Sequence, residues 1–369
     1  MLVRSKAPLR LGLAGGGSDV SPYCDIYGGC VLNATIDLYA YCTLKPANNG
    51  QIKIHAIDRD EEFITDTQEY LPIDGMLDLH KGVYNRLVRD FNLPPLGFEL
   101  YTYTDAPAGS GLGSSSTVVV AILQAFVEWL NLPLGEYDIA QLAYNIERKD
   151  IGLSGGKQDQ YAATFGGFNF IEFYDNDRVI VNPLKIKEKV VSELEASMLL
   201  YNTGVSRSSA IIIEDQKNIL KINQEQRLQA MHQIKENSYL IKEVVLKGDF
   251  PKLYSTIRNS WNAKKGTSDM ITNDHLENIY NRAIESGAHC GKISGAGGGG
   301  FMMLFVDPVK KHSVMKALSI FNGSFVNFHF VNSGACSWKT ADYEVVKEQK
   351  FVSSDNVTEK KAGEFVVTL

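Results

Sequence analysis

Residues 107–119 read Pro-Ala-Gly-Ser-Gly-Leu-Gly-Ser-Ser-Ser-Thr-Val-Val, a glycine- and serine-rich loop that leads into an apolar segment. Such a loop exposes backbone N–H groups, and the N-terminus of a following helix adds the positive end of its dipole, so together they suit a phosphate. The loop lacks the Gly-Lys-Ser/Thr of a Walker A motif and is not a GxGxxG dinucleotide motif. Two interpretations remain, a phosphate-binding loop or a serine-rich helix N-cap without a ligand.

Two further segments are equally rich in glycine. Residues 7–19 read Ala-Pro-Leu-Arg-Leu-Gly-Leu-Ala-Gly-Gly-Gly-Ser-Asp, and residues 292–301 read Lys-Ile-Ser-Gly-Ala-Gly-Gly-Gly-Gly-Phe. Each lies beside an apolar, strand-like run, and glycine at this density lets backbone approach backbone or a ligand closely. We name residues 12–19 the first glycine loop, residues 107–116 the second and residues 294–300 the third.

Composition limits the class of protein. The chain has 369 residues, 44% of them hydrophobic and 22% charged, with a net charge of −6. This acidic balance argues against general binding of nucleic acid or anionic membranes. The five cysteines form no CxxC pair and have no histidine cluster nearby, so we expect reduced, mostly buried thiols and no zinc site. No apolar stretch is long enough to span a bilayer, and the charged N-terminus lacks a signal-peptide pattern, which predicts a cytoplasmic protein.

Apolar spacing and turn residues predict the order of elements. Helices are expected over 78–91, 117–130, 138–149, 208–246, 250–263 and 273–286, with Asp138 and Asn273 as caps and a further helix opening at Pro308. Strands are expected over 31–44, 97–103, 197–201, 301–306 and 324–331, with hairpin-like segments over 51–65 and 166–181. A change of composition near residue 184 predicts domains over 1–185 and 186–369, and the lack of a linker predicts an extensive interface between them.

Two carboxylates fit the chemistry of phosphoryl transfer. This reaction needs a carboxylate near the attacking hydroxyl, a cation near the γ-phosphate and Mg²⁺ across the phosphates. Asp159 follows a double glycine, and Glu147 lies beside the apolar face of a predicted helix, where a carboxylate needs a metal or an arginine as partner. Without a ligand, Asp159 would be a turn residue, and Glu147 a solvated residue paired with Arg148 or Lys149.

The three glycine loops, in this order along the chain, resemble those of the GHMP kinases. The resemblance covers nearly the whole chain and implies an α+β fold of two domains. The N-terminal domain would be of the ribosomal-protein-S5-like type and bind ATP, and the C-terminal domain would be ferredoxin-like. It also implies ATP and Mg²⁺ as cofactors and a cleft between the domains where ATP and substrate meet.

The resemblance assigns roles to individual residues. Asp159 and Arg10 would be catalytic, and Ser115 and Glu147 would bind the metal; Ser116 stands where the family usually has alanine, so the serine register is open by one residue. The second glycine loop would bind ATP through Pro107, Gly109, Ser110, Gly111, Leu112, Gly113, Ser114, Ser115 and Ser116. The substrate site would include Gly16, Gly17, Ser18, Asp19, Gly156, Gln158, Gly204, Arg207, Lys264 and Gly297.

Within the family, three segments are most similar to the kinases that phosphorylate the anomeric hydroxyl of heptose 7-phosphate. These are residues 10–19, residues 202–207 (Asn-Thr-Gly-Val-Ser-Arg) and residues 261–265 (Trp-Asn-Ala-Lys-Lys), and the Gly-Glu-His of galactokinases and mevalonate kinases is absent. A phosphorylated substrate needs cations, for which Arg207, Lys264, Lys265 and Lys157 are candidates; each lysine can instead belong to a solvated basic surface.

Other functions stay open at this point. The same chemistry can act on another sugar, such as fucose, which would need no cationic patch. A catalytically inactive member of the family can be a sugar sensor, although Glu147 and Asp159 are retained. A purely structural protein would leave the three loops unexplained. The expected partners are ATP and a sugar phosphate, with no nucleic acid and no membrane, and a homodimer is the predicted assembly.

Overall fold

The computed structural model describes residues 1–107, 109–205, 209–217 and 225–342 of the chain. The strands are β1 (Leu2–Ala14), β2 (Gly29–Pro46), β3 (Gln51–Ala56), β4 (Glu61–Asp66), β5 (Phe98–Thr104), β6 (Phe168–Phe173), β7 (Val179–Pro183), β8 (Met198–Asn202), β9 (Ala288–Ile293), β10 (Phe301–Val306), β11 (Ser324–Val326) and β12 (Cys336–Thr340). The helices are α1 (Tyr23–Tyr27), α2 (Asp78–Phe91), α3 (Ser114–Leu130), α4 (Glu136–Asn145), α5 (Gln158–Phe165), α6 (Glu188–Ser197), α7 (Ser209–Lys217), α8 (Glu225–Lys247), α9 (Phe250–Lys265), α10 (Asp274–Glu285) and α11 (Lys311–Leu318).

The strands form two sheets, a larger mixed sheet and a smaller antiparallel sheet. The larger has the order β12-β1-β2-β5-β3-β4, with β6 and β7 added along the first half of β2. The smaller has the order β11-β8-β10-β9 and is antiparallel throughout. Helices cover these sheets, which confirms the α+β class. Strand β12, from the C-terminal half, pairs with β1, so the two halves share a sheet. The division at residue 185 stays a prediction.

Helix α3 lies at the centre of the larger core. Its residues from Val119 to Phe126 are buried almost without interruption and pack with Val3 of β1 and Leu44 of β2. The valine run has strand propensity, but the segment is helical because burial on all sides and the stop at Asn131 favour a helix. The predicted buried helix is therefore confirmed, and it fixes the second glycine loop at its N-terminus.

Strand β1 is irregular where it approaches the first glycine loop. Its pairing with β2 shifts register between Pro8 and Arg10 and again between Gly12 and Ala14. Bulges of this kind bend a strand and redirect its side chains. The irregularity lies at Arg10, one of the predicted catalytic residues.

Several other predicted elements are confirmed. The helices over 78–91, 250–263 and 273–286 correspond to α2, α9 and α10, and Asn273 caps α10 through its bond to the N–H of Leu276 at 3.0 Å. The segments over 51–65 and 166–181 are the hairpins β3–β4 and β6–β7. The five cysteines are free and four are buried. Burial raises the pKa of Cys24 and Cys290 to about 12.

Three boundaries differ from the predictions. Helix α4 begins at Glu136 and ends at Asn145, followed by a π-helical turn over Ile146–Asp150, and Asp138 lies inside its first turn, where it accepts from the N–H of Gly135 at 2.9 Å. Where one long helix is predicted over 208–246, the described residues form α7 over Ser209–Lys217 and α8 over Glu225–Lys247. Pro308 opens a short 3₁₀ turn that precedes α11.

The strand expected over 324–331 is continuous only to Val326, and beyond it Phe330 forms an isolated β-bridge with Ile36. The alternation continues because Phe328 and Phe330 pack into the core beside Phe168, whose ring lies 4.7 Å from that of Phe330. The periodicity beyond Val326 therefore reflects burial, and the backbone pairing there is limited to the short contact of residues 329–331 with β2. In the part of the chain that the structure describes, no helix is both long and apolar enough to cross a membrane.

Candidate active site

The three glycine loops meet at one end of β1. Arg10 N donates to the carbonyl of Leu112 at 3.1 Å, and Phe301 N donates to that of Ser110 at 3.0 Å. A Cβ atom on Gly111, which has φ +77°, would lie 2.4 Å from the carbonyl oxygen of Ser294. Only glycine permits this approach of the second loop to the third. Loops that are far apart in the sequence therefore form one backbone cradle.

The N-terminus of α3 opens into this cradle. Gly113 precedes the helix with φ +81°, and no side chain in the described structure caps it. The hydroxyl of Ser114 instead lies 3.4 Å from that of Ser110 and from the carbonyl of Pro107, within the loop. The interpretation of the serines as a simple N-cap is therefore wrong. The positive end of the helix is left for an anion.

A cavity of about 470 Å³ lies beside the cradle. Of the residues predicted for the site, those that line it are Arg10, Gly17, Asp19, Gly109, Gly111, Gly113, Ser114, Ser115, Ser116, Glu147, Gly156, Gln158, Asp159 and Lys264. They come from β1, α3, α5, α9, the π-helical turn and the connecting loops. The fold thus brings most of the predicted residues to one cavity.

Arg10 and Asp159 form the central ion pair. The Nε and Nη2 atoms of Arg10 lie 2.8 Å and 2.6 Å from Oδ1 of Asp159, and its Nη1 donates to the carbonyl of Gly111 at 2.5 Å. Arg10 is 3% exposed and the Asp159 side chain 23%. Because both contacts use Oδ1, the other oxygen of Asp159 is free of Arg10, beside Gly113. A hydroxyl group entering the cavity can donate to it.

Glu147 is a buried residue that lines the same cavity. It is 1% exposed, so the interpretation as a solvated helix-edge residue is wrong, but the ion pair with Arg148 that this interpretation included is present. Its Oε2 accepts a short hydrogen bond from Gln160 Nε2, and Gln160 also donates to Ser116 Oγ at 3.0 Å. Its Oε1 has no hydrogen-bond partner among the described residues, and Arg148 lies 3.7 Å away. A buried oxygen without a donor suits a hard cation such as Mg²⁺.

Asp19 organises the first loop from inside. Its oxygens accept from the backbone N–H groups of Gly17 at 3.0 Å, Lys157 at 2.9 Å and Gln158 at 3.1 Å. A Cβ on Gly156 would lie 1.9 Å from Asp19 Oδ2, so glycine is required there. The carboxylate joins the first glycine loop to the start of α5, which carries Asp159.

Two lysines are buried around the first loop. Lys264 Nζ donates to the carbonyls of Gly16 at 3.1 Å and Gly295 at 2.8 Å, which ties the first loop to the third. Lys292 Nζ donates to the carbonyls of Gly12 at 2.8 Å and Leu13 at 3.2 Å. Burial lowers the pKa of Lys264 to about 8, partly offset by Asp19, and burial lowers the pKa of Lys292 well below its usual range.

The remaining predicted residues do not line the cavity. Several support the loops: Leu112 is core, Ser18 bonds to the backbone of Cys30, and the carbonyls of Ser110, Pro107 and Gly16 accept hydrogen bonds. Gly204 and Gly297 allow close backbone contacts with Asn322 and Ile271. Arg207 lies outside the described residues.

Two of the candidate cations belong elsewhere. Lys157 binds Asp177 at 2.9 Å and lies 3.5 Å from Asp25, and Lys265 lies 3.3 Å from Glu277. Neither lysine lines the cavity, so their assignment to a substrate phosphate is corrected. Lys157 and Lys265 pair with carboxylates 20 and 12 positions away in the sequence. The residues next to each lysine therefore do not predict these ion pairs.

Several residues of the site had no role assigned from the sequence, and four of them make polar contacts or line the cavity with a polar side chain. Arg148 and Gln216 line the cavity, Gln160 joins Glu147 to Ser116, and Lys292 supports the first loop. Lys292 stands at the start of a quoted glycine segment, and Gln160 stands directly after Asp159, so both had a signal in their neighbourhood. Gln216 lies in a segment with no motif.

Comparisons with known proteins agree with this geometry. The model of the GHMP kinases N terminal domain matches residues 78–167, and that of the GHMP kinases C terminal domain matches residues 240–322. The chain is 52% identical over 337 residues to a D-glycero-alpha-D-manno-heptose 7-phosphate kinase from Campylobacter jejuni, covering 91% of this chain and 99% of that protein.

A solved structure described as a D-glycero-D-manno-heptose 1-phosphate kinase from Bacteriodes thetaiotaomicron is also similar. It is 50% identical, has a TM-score of 0.79, and the match covers 92% of this chain and all of that one. An L-fucokinase/L-fucose-1-P guanylyltransferase from Bacteroides fragilis is 25% identical over 86% of this chain, which spans 36% of that longer protein. The chain therefore belongs to the GHMP kinases, and it is an ATP-dependent kinase.

Proposed function

We propose that this protein transfers the γ-phosphoryl group of ATP to the anomeric hydroxyl of D-glycero-D-manno-heptose 7-phosphate, forming the 1,7-bisphosphate. The anomeric oxygen bonds to the γ-phosphorus while the bond from that phosphorus to the β–γ bridging oxygen breaks, and ADP leaves. The proposal depends on one combined observation. The backbone cradle with its Arg10–Asp159 pair occurs in a chain that is 52% identical to a heptose 7-phosphate kinase.

The attacking hydroxyl is oriented by Asp159. The oxygen of Asp159 that Arg10 leaves free accepts the hydroxyl proton as the new P–O bond forms. Arg10 holds the other oxygen and offsets negative charge on the transferring group. The uncapped N-terminus of α3 and the glycines of the second loop bind the phosphates of ATP.

The residues present fit a magnesium ion. Glu147 supplies a buried carboxylate oxygen without a donor, and Ser115 faces the same cavity from the first turn of α3. Glu147 and Ser115 would hold Mg²⁺, which neutralises charge on the ATP phosphates when bound. Ser116 is engaged by Gln160, which favours Ser115 over Ser116 as the serine ligand.

The sugar phosphate is held beside the first glycine loop. Asp19, Gln158 and Lys264 line the cavity next to this loop and offer both donors and acceptors to a polar substrate. Of the four cations considered for the phosphate, Lys264 remains in the cavity, and Arg207 stays a candidate from the sequence. A kinase for an unphosphorylated sugar such as fucose has no use for these cations.

The position of the substrate phosphate is a matter for experiment, since the two similar proteins are described as acting on a 7-phosphate and a 1-phosphate. The purified protein is assayed with ATP and Mg²⁺ by ADP release on heptose, its 1-phosphate, its 7-phosphate and fucose. The highest kcat/KM is expected for the 7-phosphate. A preference for fucose or for the 1-phosphate would overturn the proposal, and ligand binding without turnover would indicate a sensor.

Arg207 has its own test within the same assay. Removal of a charge-assisted contact costs on the order of 2 kcal/mol, so Arg207→Ala is expected to raise the KM for the sugar phosphate about thirtyfold and leave the KM for ATP unchanged. Equal losses on phosphorylated and unphosphorylated sugars would show that Arg207 does not bind the phosphate.

We further infer an ATP-binding domain over residues 1–185, a second domain over 186–369, a cytoplasmic location and a homodimer. The domain matches at 78–167 and 240–322 lie on either side of the proposed boundary. Light scattering on the purified protein tests the dimer, and fractionation of cells tests the location.

A further inference from the structure

Gln216 on α7 is a buried polar residue at the cavity that the kinase mechanism does not use. It is 6% exposed and lines the cavity with Ala210 and Ile213 of the same helix. A long polar side chain at this depth is unfavourable unless both ends of its carboxamide are satisfied. The hydrogen-bond partners of Gln216 therefore indicate which of its two polar atoms is available to a ligand.

A chain of hydrogen bonds fixes the orientation of this carboxamide. The hydroxyl of Thr267, which is fully buried, donates its single proton to the carbonyl of Lys264 at 2.8 Å. Its remaining capacity is to accept, and Gln216 Nε2 donates to it at 2.9 Å. The NH₂ group of Gln216 must therefore face Thr267, and its Oε1 points the other way.

The carboxamide lies beside the first glycine loop, where a Cβ on Gly17 would lie 3.6 Å from Gln216 Oε1 and 3.8 Å from its Nε2. The nitrogen is engaged by Thr267, whereas no donor among the described residues bonds to Oε1. Gln158 lies along the same loop, where its Oε1 is buried without a partner, 3.9 Å from the Cβ position of Gly12. The carboxamide oxygens of Gln216 and Gln158 therefore both lie beside the first glycine loop without a hydrogen-bond donor among the described residues.

We propose that Gln216 is a specificity-determining residue that, together with Gln158, accepts hydrogen bonds from hydroxyl groups of the sugar. The inference rests on the proposed function, because it requires a polyhydroxylated acceptor substrate. A carboxamide oxygen accepts a hydrogen bond from a hydroxyl group. A phosphate group is largely deprotonated at neutral pH, so its oxygens are acceptors and do not pair with a carboxamide oxygen. This part of the cavity therefore selects the polyol portion of the substrate rather than its phosphate.

The experiment replaces Gln216 with methionine, which has similar length and no acceptor oxygen. Gln216→Met is expected to raise the KM for the best sugar phosphate about tenfold, with the KM for ATP unchanged, as for one lost neutral hydrogen bond. Deoxy analogues of that sugar identify the hydroxyl: wild type discriminates against the analogue that lacks it, and Gln216→Met does not.

Two controls separate binding from folding. Gln124→Met removes a comparable amide–hydroxyl bond, from Gln124 Nε2 to Ser337 Oγ at 3.3 Å, outside the cavity, and should leave the KM for the sugar unchanged. Thr267→Val frees the carboxamide to rotate and should raise the same KM by a smaller factor, while Thr267→Ser should restore it. The Thr267 pair decides the question if Gln216→Met does not fold.

The outcomes distinguish this inference from the proposed function. Turnover of another sugar in place of heptose 7-phosphate overturns the substrate proposal, and the Gln216 comparison is then made on that sugar. Turnover of heptose 7-phosphate with equal KM in wild type and Gln216→Met overturns the role of Gln216 alone. No turnover on any sugar overturns both.

Discussion

Replacement of Asp159 by asparagine separates catalysis from structure. The amide side chain in Asp159→Asn would keep an oxygen for Arg10 and the shape of the carboxylate, but it cannot take the proton of the attacking hydroxyl. Loss of a general base lowers turnover by roughly 10²–10⁴, which corresponds to about 3–5 kcal/mol of transition-state stabilisation. The KM for ATP should change little, since the contacts of the second glycine loop and α3 are retained.

The structural cost of this replacement is smaller. Arg10 loses a charged partner at 2.6–2.8 Å but keeps a neutral acceptor, and the Asp159 side chain is 23% exposed. Exchange of charged for neutral hydrogen bonds costs about 1–2 kcal/mol, a decrease of a few degrees in Tm. The loss of activity therefore exceeds what instability can explain.

Asp90→Asn provides the matched control. Asp90 binds Arg86 and Arg89 on α2, away from the cavity, with its side chain 31% exposed. It should lower the Tm by a similar amount and leave turnover unchanged. Steady-state ADP release and thermal unfolding are measured on both variants. A folded Asp159→Asn protein with near wild-type turnover on its best sugar would refute the role of Asp159 as base.

Three further predictions concern the metal, the substrate and stability. Glu147→Gln should lower turnover and raise the Mg²⁺ concentration for half-maximal rate, because an amide is a poor ligand for a hard cation; an unchanged Mg²⁺ titration contradicts the assignment. The pKa of Lys264 is about 8, so its ammonium group loses its proton as the pH rises through that value. The KM of the wild-type protein for the sugar phosphate should therefore increase above pH 8, and the KM of Lys264→Arg should increase much less. A KM in wild type that does not change as the pH rises well past that pKa speaks against this contact. Burial lowers the pKa of His80 to about 3, whereas in the unfolded chain the pKa has its ordinary value near 6.5. The unfolded state therefore binds a proton below pH 6.5 that the folded state does not, and the free energy of unfolding falls by about 2 kcal/mol at pH 5. Urea unfolding at about pH 7.5 and about pH 5 should show this loss in wild type and a smaller one in His80→Gln.

The sequence alone determined the parts of the protein that depend on neighbouring residues. The glycine loops were recognised because close backbone approach and left-handed φ values demand glycine locally. Helices such as α2 and α10 follow from apolar spacing and from a cap such as Asn273, which act within a few residues. The resemblance to the GHMP kinases rests on the same local motifs, and so does the choice of Arg10, Glu147 and Asp159.

Tertiary structure decided how these parts are paired. Arg10 meets Asp159 across 149 positions, and Lys264 joins the first and third loops across 248 and 31 positions. Lys157 and Lys265 looked equally suited to a phosphate but are neutralised by Asp177 and Glu277. A side chain's charge and type are readable from the sequence, whereas the groups that surround it are set by the packing of remote elements.

Gln216 shows the limit most clearly. Nothing in its segment distinguishes it from a surface glutamine, and its role depends on the single proton of Thr267, 51 positions away, being used by the carbonyl of Lys264. Local sterics and periodicity are properties of the chain itself, so they could be predicted before the fold was known. The direction of a carboxamide in a cavity depends on donors and acceptors supplied by three different segments, and only the folded chain brings those together.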